Sequence, residues 1–336
     1  MSTIGDVAKR AGVSAMTVSR VINNSGYISQ ETRERVEQAI AELGYVPNAL
    51  ARSLRFKRTK TIALILTDIT NPFFTTLARG IEDAASEQGF SVIFCNTDES
   101  QDEEAEYLSV VVQKQVDGVL LVPASSSSES VTFLRDRGVP CVLLDRRLPG
   151  AAVDTVRGDS EAGAYQLTRH LLDLGHRRIA LLNGPSSVST AEDRLAGYRR
   201  ALDEAGLSSA ASVYEGSYTV EGGYRTAKQM LAAAPRPTAV FAANNFIAIG
   251  ALRVLREAGL RVPDNLSLVA FDDLPTTMMI DPFFTVIGQP AYEMGQRATQ
   301  LLLEHLAGQS PAEPQEIVLP AQLIVRRSSG PPPAEI

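Results

Sequence analysis

Long apolar runs are missing from this 336-residue chain, and none reaches the roughly 18 residues that a membrane-spanning helix needs. A soluble protein is expected. The opening stretch MSTIGDVAKRAGVS holds no apolar core of the kind an export signal carries, which points to the cytoplasm. Cysteine is scarce: Cys95 and Cys141 are the only two, and both sit in apolar runs (SVIFC, PCVLL) that read as buried strands. Two inert thiols in a reduced setting follow. The three histidines, His170, His176 and His305, are too scattered for a metal site, and no Cys–His cluster exists. His176, in LGHRR, reads as a structural residue between a helix and a strand. The chain also lacks GxGxxG, the Walker phosphate loop, HExxH and GxSxG. No enzyme activity, no metal and no cofactor are therefore expected.

What is present is ordinary globular composition, 44% hydrophobic and 21% charged, on a chain long enough for two or three domains. The net charge of −7 would argue against nucleic acid if it were evenly spread. It is not. Residues 1–60 hold 10 Lys and Arg against 5 Asp and Glu, a net of +5, while the remaining 276 residues hold 22 against 34, a net of −12. A basic segment joined to an acidic body suits phosphate binding by the one and little unselective sticking by the other.

Within the basic segment, Thr3-Ile4-Gly5-Asp6 fits a capping box at a helix start, and Val7, Ala8 and Ala11 give a short apolar stripe. Gly12 breaks it as a tight turn requires. Ser14 can cap a second helix in which Val18, Val21 and Ile22 face inward and Thr17, Ser19, Arg20 and Asn23 face out. Ser29 caps a third helix, with Val36, Ile40 and Leu43 inward and Gly44 at its end. A helix, a glycine-containing turn and a second helix with a polar outer face is the helix-turn-helix pattern, although a small helical bundle of another kind has the same periodicity.

From residue 60 the pattern alternates. Strand-like runs appear at 61–68, 90–96, 117–123 and 140–145, and again at 177–183, 211–216, 238–244 and 266–272, with helical stretches between them. Such βαβ units imply parallel sheets, and two series of similar length imply two doubly wound subdomains. Ligands in such sheets sit beyond the carboxyl ends of the strands, where Asp68, Asn71, Asp145, Arg146, Asn183, Asn244, Asn245, Asp272 and Asp273 cluster. Each also has a plainer reading. Asn244 and the Asp272–Asp273 pair can cap following segments, Phe74 can belong to the core, and Asp145 can pair with Arg146 or Arg147.

The residues themselves are more specific than their periodicity. DVAKRAGVS, TVSRVIN, the ETRERV helix and GYVPN followed by spaced Ala and Leu closely resemble the N-terminal module of the lactose/galactose repressor (LacI/GalR) family. The likeness continues through NPFF, LGHRRIALLNGP, RLAGY, AVFAANN, GLRVPDNLSLVAFDD and the TVIGQP turn, which match the family's periplasmic-binding-protein-like sensor. The resemblance implies a helix-turn-helix domain at 1–47, a hinge helix and linker at 48–60, and an effector-binding sensor at 61–336. One sensor subdomain is expected at about 61–158 and 290–318, the other at about 159–287 and 319–330.

By family correspondence Ala15, Met16 and Arg20 read bases, Arg20 having the fork for guanine O6 and N7. Ser14, Thr17, Ser19 and Asn23 position the phosphates. Asn48, Ala51, Arg52 and Leu54 belong to the hinge helix, whose Leu54 wedges into the minor groove. In the sensor, Arg194, Asp272, Asn244 and Asp145 match polar effector contacts, Asn71 joins them at the strand ends, and Phe74 and Tyr218 fall at aromatic positions that sandwich a ligand ring. The family usually has Asn-Asp where this chain has Asn244-Asn245, which puts the contacts there in doubt. The chain ends GPPPAEI without a leucine heptad, so the expected assembly is a homodimer on a pseudo-palindromic double-stranded operator. The expected function is a repressor of carbohydrate-metabolism genes, controlled by a sugar or sugar derivative. A sugar-transport binding protein would explain residues 60–330 but not the basic helical head.

Overall fold

A computed structural model describes residues 2–46, 58–274, 281–309 and 313–333. The hinge positions Asn48, Ala51, Arg52 and Leu54 lie outside the described residues. The chain divides into two compact units, Met1–Thr59 and Lys60–Ile336.

The first unit contains α1 (Ile4–Ala11), α2 (Ala15–Ile22) and α3 (Gln30–Leu43). The capping box is formed as the sequence implies: Asp6 N–H donates to Thr3 Oγ1 and Thr3 N–H to Asp6 Oδ2 at 2.8 Å. The bonds that Thr3 N–H and the Thr3 hydroxyl donate to its carboxylate hold the Asp6 carboxyl below its ordinary range. Gly12 ends α1 at φ 66°, a left-handed conformation that a side chain would resist. Val7, Val18 and Val36, one from each helix, are wholly buried. Each such burial is worth about 1.5–3 kcal/mol over exposure, which is what lets three short helices fold together.

The second unit holds two six-stranded sheets in two lobes. The first lobe contains β1 (Thr61–Leu66), α4 (Pro72–Glu87), β2 (Ser91–Asn96), α5 (Gln101–Gln113), β3 (Gly118–Leu121), α6 (Glu129–Arg135), β4 (Cys141–Leu144) and β5 (Asp154–Gly158). The second contains α7 (Ser160–Asp173), β6 (Ile179–Asn183), α8 (Ser189–Glu204), β7 (Ser212–Glu215), α9 (Val220–Leu231), β8 (Ala239–Ala242), α10 (Asn245–Glu257), β9 (Ser267–Phe271) and β10 (Thr285–Gly288). The chain then returns to the first lobe with α11 (Ala291–Leu306) and β11 (Glu316–Leu319), and ends in the second with β12 (Gln322–Ile324).

The strand orders are β11-β5-β4-β3-β1-β2 and β12-β10-β9-β8-β6-β7. Position by position these are the same arrangement, so β4 of one lobe corresponds to β9 of the other. Among the described residues only β12 runs antiparallel to its neighbour. In β1, Ile62, Leu64 and Leu66 join the cluster with α4 and α11, whereas Ala63 and Ile65 join that with α5 and α6. Burial on both faces is why a parallel strand reads as a continuous apolar run. Helices α4 and α11 approach so closely that a Cβ on Gly80 would stand 2.1 Å from the Tyr292 carbonyl oxygen.

Two details correct the sequence reading and a third agrees with it. The TVIGQP segment is not a turn: its first four residues are strand β10, paired parallel with β9. Each sheet has six strands rather than the four read from the sequence. The extra strands are β5 and β11 in one sheet and β10 and β12 in the other, and β11 and β12 are half-exposed edge strands without a long apolar run. His176 is indeed structural. It is fully buried, with Nδ1 2.9 Å from Thr238 Oγ1 and Nε2 2.9 Å from the Gly330 carbonyl oxygen.

Candidate functional site

On the first unit, Ser14 is spent on capping. Its Oγ accepts from Thr17 N–H at 3.1 Å and lies 3.0 Å from Thr17 Oγ1, which fixes the start of α2. Asn23 Nδ2 donates to the Ser19 carbonyl at 2.7 Å and closes the other end. Ala15, Met16 and Arg20 are exposed along the outer face, Met16 by 66%. Among the described residues the Arg20 side chain has no hydrogen-bond or ion-pair partner, so its guanidinium is free for an external acceptor. Sequence reasoning passed over Tyr27, which is 94% exposed in the loop after α2. A lone aromatic in a loop leaves no periodic signal.

In the second unit a cavity of about 250 Å³ lies between the carboxyl ends of the two sheets. Asn71, Phe74, Asp145, Arg194, Tyr218, Asn244 and Asp272 all line it, so the structure brings together the effector contacts matched to the family, whereas Asn183, Asn245 and Asp273, also read at strand ends, do not line it. Thr67, Asp68, Phe73, Asp98, Glu99, Arg146, Thr190 and Thr219 line it as well.

The two lobes contribute matching carboxylates. Asp145 follows β4 at φ 62° and Asp272 follows β9 at φ 66°. The Asp145 N–H donates to the Val156 carbonyl and the Asp272 N–H to the Ile287 carbonyl, each at 2.9 Å. These are equivalent bonds to equivalent neighbouring strands. A positive φ is costly for a residue with a side chain, and such strain gathers at functional positions. Both residues are buried, at 7% and 6% exposure, yet they are poorly supplied with donors. Asp272 Oδ1 accepts from Gln289 Nε2 at 2.7 Å, and its Oδ2 lies 4.0 Å from Arg194 Nη2. Among the described residues the Asp145 carboxylate accepts no hydrogen bond, and its nearest cation is Arg146 Nε at 3.9 Å. Burial pushes the Asp145 carboxyl up to about 6, against the pull of Arg146 and Arg194. Burial likewise raises Asp272, opposed by Arg194 and the Gln289 bond.

Two buried guanidiniums lie near the Tyr218 ring. The carbon of the Arg146 group is 5.9 Å from the ring centroid and that of Arg194 is 5.8 Å away. Glu99 takes both terminal nitrogens of Arg146 at 2.6 Å, leaving its Nε unpartnered. Arg194 Nη1 donates to the Ala243 carbonyl at 2.7 Å, and its guanidinium lies 4.0 Å from the Phe271 ring centroid. Its Nε and the Thr67 hydroxyl are also buried without partners among the described residues. Tyr218 reaches this position because residue 184 is glycine: a Cβ there would stand 2.2 Å from the ring.

The asparagines do different work. Asn244 caps α10, its Oδ1 accepting from Ile247 N–H at 2.8 Å, while its Nδ2 donates to the Tyr218 carbonyl at 3.3 Å. It holds the wall rather than offering a free group. Asn71 caps α4 through Phe73 N–H at 3.0 Å, and the same Oδ1 accepts from Asn245 Nδ2 of the opposite lobe at 3.0 Å. A second bridge joins Arg147 Nη1 to Asp193 Oδ1 at 2.7 Å. Among the described residues no cluster could hold a metal ion, and no described helix is long and apolar enough to cross a membrane.

Comparison with known proteins matches both units. Residues 3–48 fit the family described as bacterial regulatory proteins, lacI family, and residues 59–327 fit that of periplasmic binding proteins and the sugar binding domain of the LacI family. The HTH-type transcriptional regulator DegA of Bacillus subtilis (strain 168) is 39% identical over 98% of both chains. Among solved structures, a lac repressor dimer bound to operator and the anti-inducer ONPF superposes with a TM-score of 0.86 at 31% identity, over 98% of this chain and 99% of that one. A transcriptional regulator CelR–cellobiose complex does so with a TM-score of 0.73 at 36% identity, over 98% of this chain and 100% of that one. With an exposed α2 on one unit and a buried polar cleft in the other, the chain belongs to the LacI family of DNA-binding transcriptional regulators, which are not enzymes.

Proposed function

We propose that this regulator is a cytoplasmic homodimeric repressor whose operator affinity is set by a sugar or sugar derivative held in the cleft. The observation that carries the reading is a cleft closed by side chains from both lobes, Asn245 on Asn71 and Arg147 on Asp193. A ligand there acts on the relative placement of the lobes. In the proposed organisation residues 1–47 read DNA, 48–60 form the hinge and linker, and 61–336 form the sensor. Arg20, Met16 and Ala15 contact bases, and Ser14, Thr17, Ser19 and Asn23 set the backbone register. Asn48, Ala51, Arg52 and Leu54 complete the contact at the hinge. Asp145, Arg194, Asp272 and Asn71 bind the effector, with Phe74 and Tyr218 against its apolar faces and Asn244 supporting Tyr218. Two solved relatives support the pairing of ligands: one carries an operator, the other cellobiose.

Coupling between the cleft and the DNA surface must be reciprocal. The test is a fluorescence-anisotropy titration of full-length protein on an operator fragment, with and without saturating effector. Unchanged operator affinity would remove the regulatory half of the proposal. Retention of specific binding by a chain starting at Lys60 would remove the DNA-reading half.

A further inference from the structure

The charges around the cavity are unequal. Five carboxylates line it, Asp68, Asp98, Glu99, Asp145 and Asp272, against two guanidiniums, Arg146 and Arg194. One of those guanidiniums is already neutralised by its two-pronged pair with Glu99. The other gives one terminal nitrogen to a backbone carbonyl and has Asp272 within 4.0 Å of the second. Each guanidinium thus faces a carboxylate within 4.0 Å, while the Nε of each stays without a hydrogen-bond partner among the described residues.

The hydrogen-bonding needs of the site run both ways, since Arg146 Nε, Arg194 Nε and the Thr67 hydroxyl also want partners, and a hydroxyl both donates and accepts. Among the described residues the Asp145 carboxylate has no donor, and Asp272 has one for a single oxygen. A buried carboxylate left without donors is costly, so the arrangement favours a guest that brings hydroxyl hydrogens to it. Because Asp145 and Asp272 sit at equivalent strand ends of opposite lobes, one guest carrying hydroxyls on both edges satisfies both and ties the lobes together. The volume, about 250 Å³, is small for a ligand site and suits a single sugar ring.

We propose that the cleft takes an uncharged, hydroxyl-rich single-ring ligand, and that it discriminates against the phosphorylated and carboxylated counterparts of that ligand. This rests on the sensor reading above and narrows it from sugars and their derivatives to neutral ones. An anionic group would enter a site with excess negative charge whose two cations already face carboxylates, whereas a hydroxyl in its place finds Asp145 or Asp272.

The test uses full-length protein and matched probes in calorimetric titrations: ribose with ribose 5-phosphate, glucose with glucose 6-phosphate and gluconate, and galactose with galacturonate. The expected result is binding of at least one neutral sugar, with its anionic partner at least 100-fold weaker. Asp145→Asn, with its fold checked by thermal melting, should weaken the neutral ligand at least tenfold and narrow the gap to the anion. Equal or tighter binding of an anionic member overturns the proposal. So does failure of every neutral sugar to bind. Operator binding by the same preparation, lost when the chain starts at Lys60, separates these failures from failure of the regulator reading, because loss on truncation is scored against the same protein and needs no choice of guest.

Discussion

Asn245, in the first turn of α10, donates its Nδ2 hydrogen across the cleft to Asn71 Oδ1 at 3.0 Å. The direction of that bond is dictated from the other side. Asn71 Oδ1 must face Phe73 N–H to cap α4, so it presents an acceptor to the opposite lobe. An aspartate at 245, the residue the family usually carries, has no hydrogen to offer there when ionised. The Asn245–Asn71 bond and that of Arg147 to Asp193 close the cleft of this chain. Asn245→Asp should replace the first with two facing acceptors and favour an open cleft. Amide exchange around Phe73 and Ile247 in unliganded protein should speed up several-fold, the loss of about 1 kcal/mol that one buried hydrogen bond implies. Unaltered exchange would mean that the lobes are held elsewhere.

Arg20 is exposed and unpartnered on the outer face of α2 among the described residues. Arg20→Ala should reduce the preference for operator over random DNA by about 1–3 kcal/mol while leaving nonspecific binding at low salt nearly intact. Anisotropy titrations on both DNAs would show it. A uniform drop on both would place Arg20 on the phosphates instead.

Asp145 makes stability depend on pH in a direction unusual for a carboxylate. Its folded value, about 6, lies above the ordinary 3.8. The folded chain therefore holds this proton more tightly than the unfolded chain between those values. Burying the charge costs stability above about pH 6, and the cost fades as pH falls towards 3.8. Asp145→Asn should raise the stability of unliganded protein at pH 7.5 by an amount on the order of 1–3 kcal/mol, with most of the gain gone at pH 4. Urea titrations at the two pH values measure it. A gain that did not shrink on acidification would assign it to something other than this ionisation.

His176 runs the other way. Burial lowers its pKa, so the folded chain keeps it neutral while the unfolded chain takes up a proton below about pH 6.5. Stability should fall as pH drops through that value. His176→Ala leaves Thr238, Ser267 and the Gly330 carbonyl short of a partner and should cost about 2–4 kcal/mol at pH 7.5. A loss under about 0.5 kcal/mol would show that water replaces the ring freely.

Much of this molecule could be read before its structure was known, because its signals are local. Thr3 and Asp6 are three residues apart and announce their own capping box. Ile62 to Leu66 is buried on both faces and reads as an unbroken apolar run. Asp145 and Asp272 end such runs, where doubly wound sheets place their ligands. What escaped notice depends on partners far away in sequence. Arg146 was seen at a strand end, but its bond to Glu99 spans 47 residues and that of Asn245 to Asn71 spans 174. Nothing in either neighbourhood encodes those meetings. Strands β11 and β12 were missed because edge strands need no apolar repeat.

The last described residues have a practical side. Ser328 Oγ accepts from Thr285 N–H at 2.8 Å, Ser329 Oγ lies 2.8 Å from Thr285 Oγ1, and Gly330 N–H donates to Ser267 Oγ at 3.0 Å. With His176 on the Gly330 carbonyl, these three residues stitch the outgoing chain to β9, β10 and the loop ahead of β6. Purification tags and fluorescent fusions therefore belong beyond Pro333. A truncation that ends before Ser328 would unpick a seam rather than trim a loose thread.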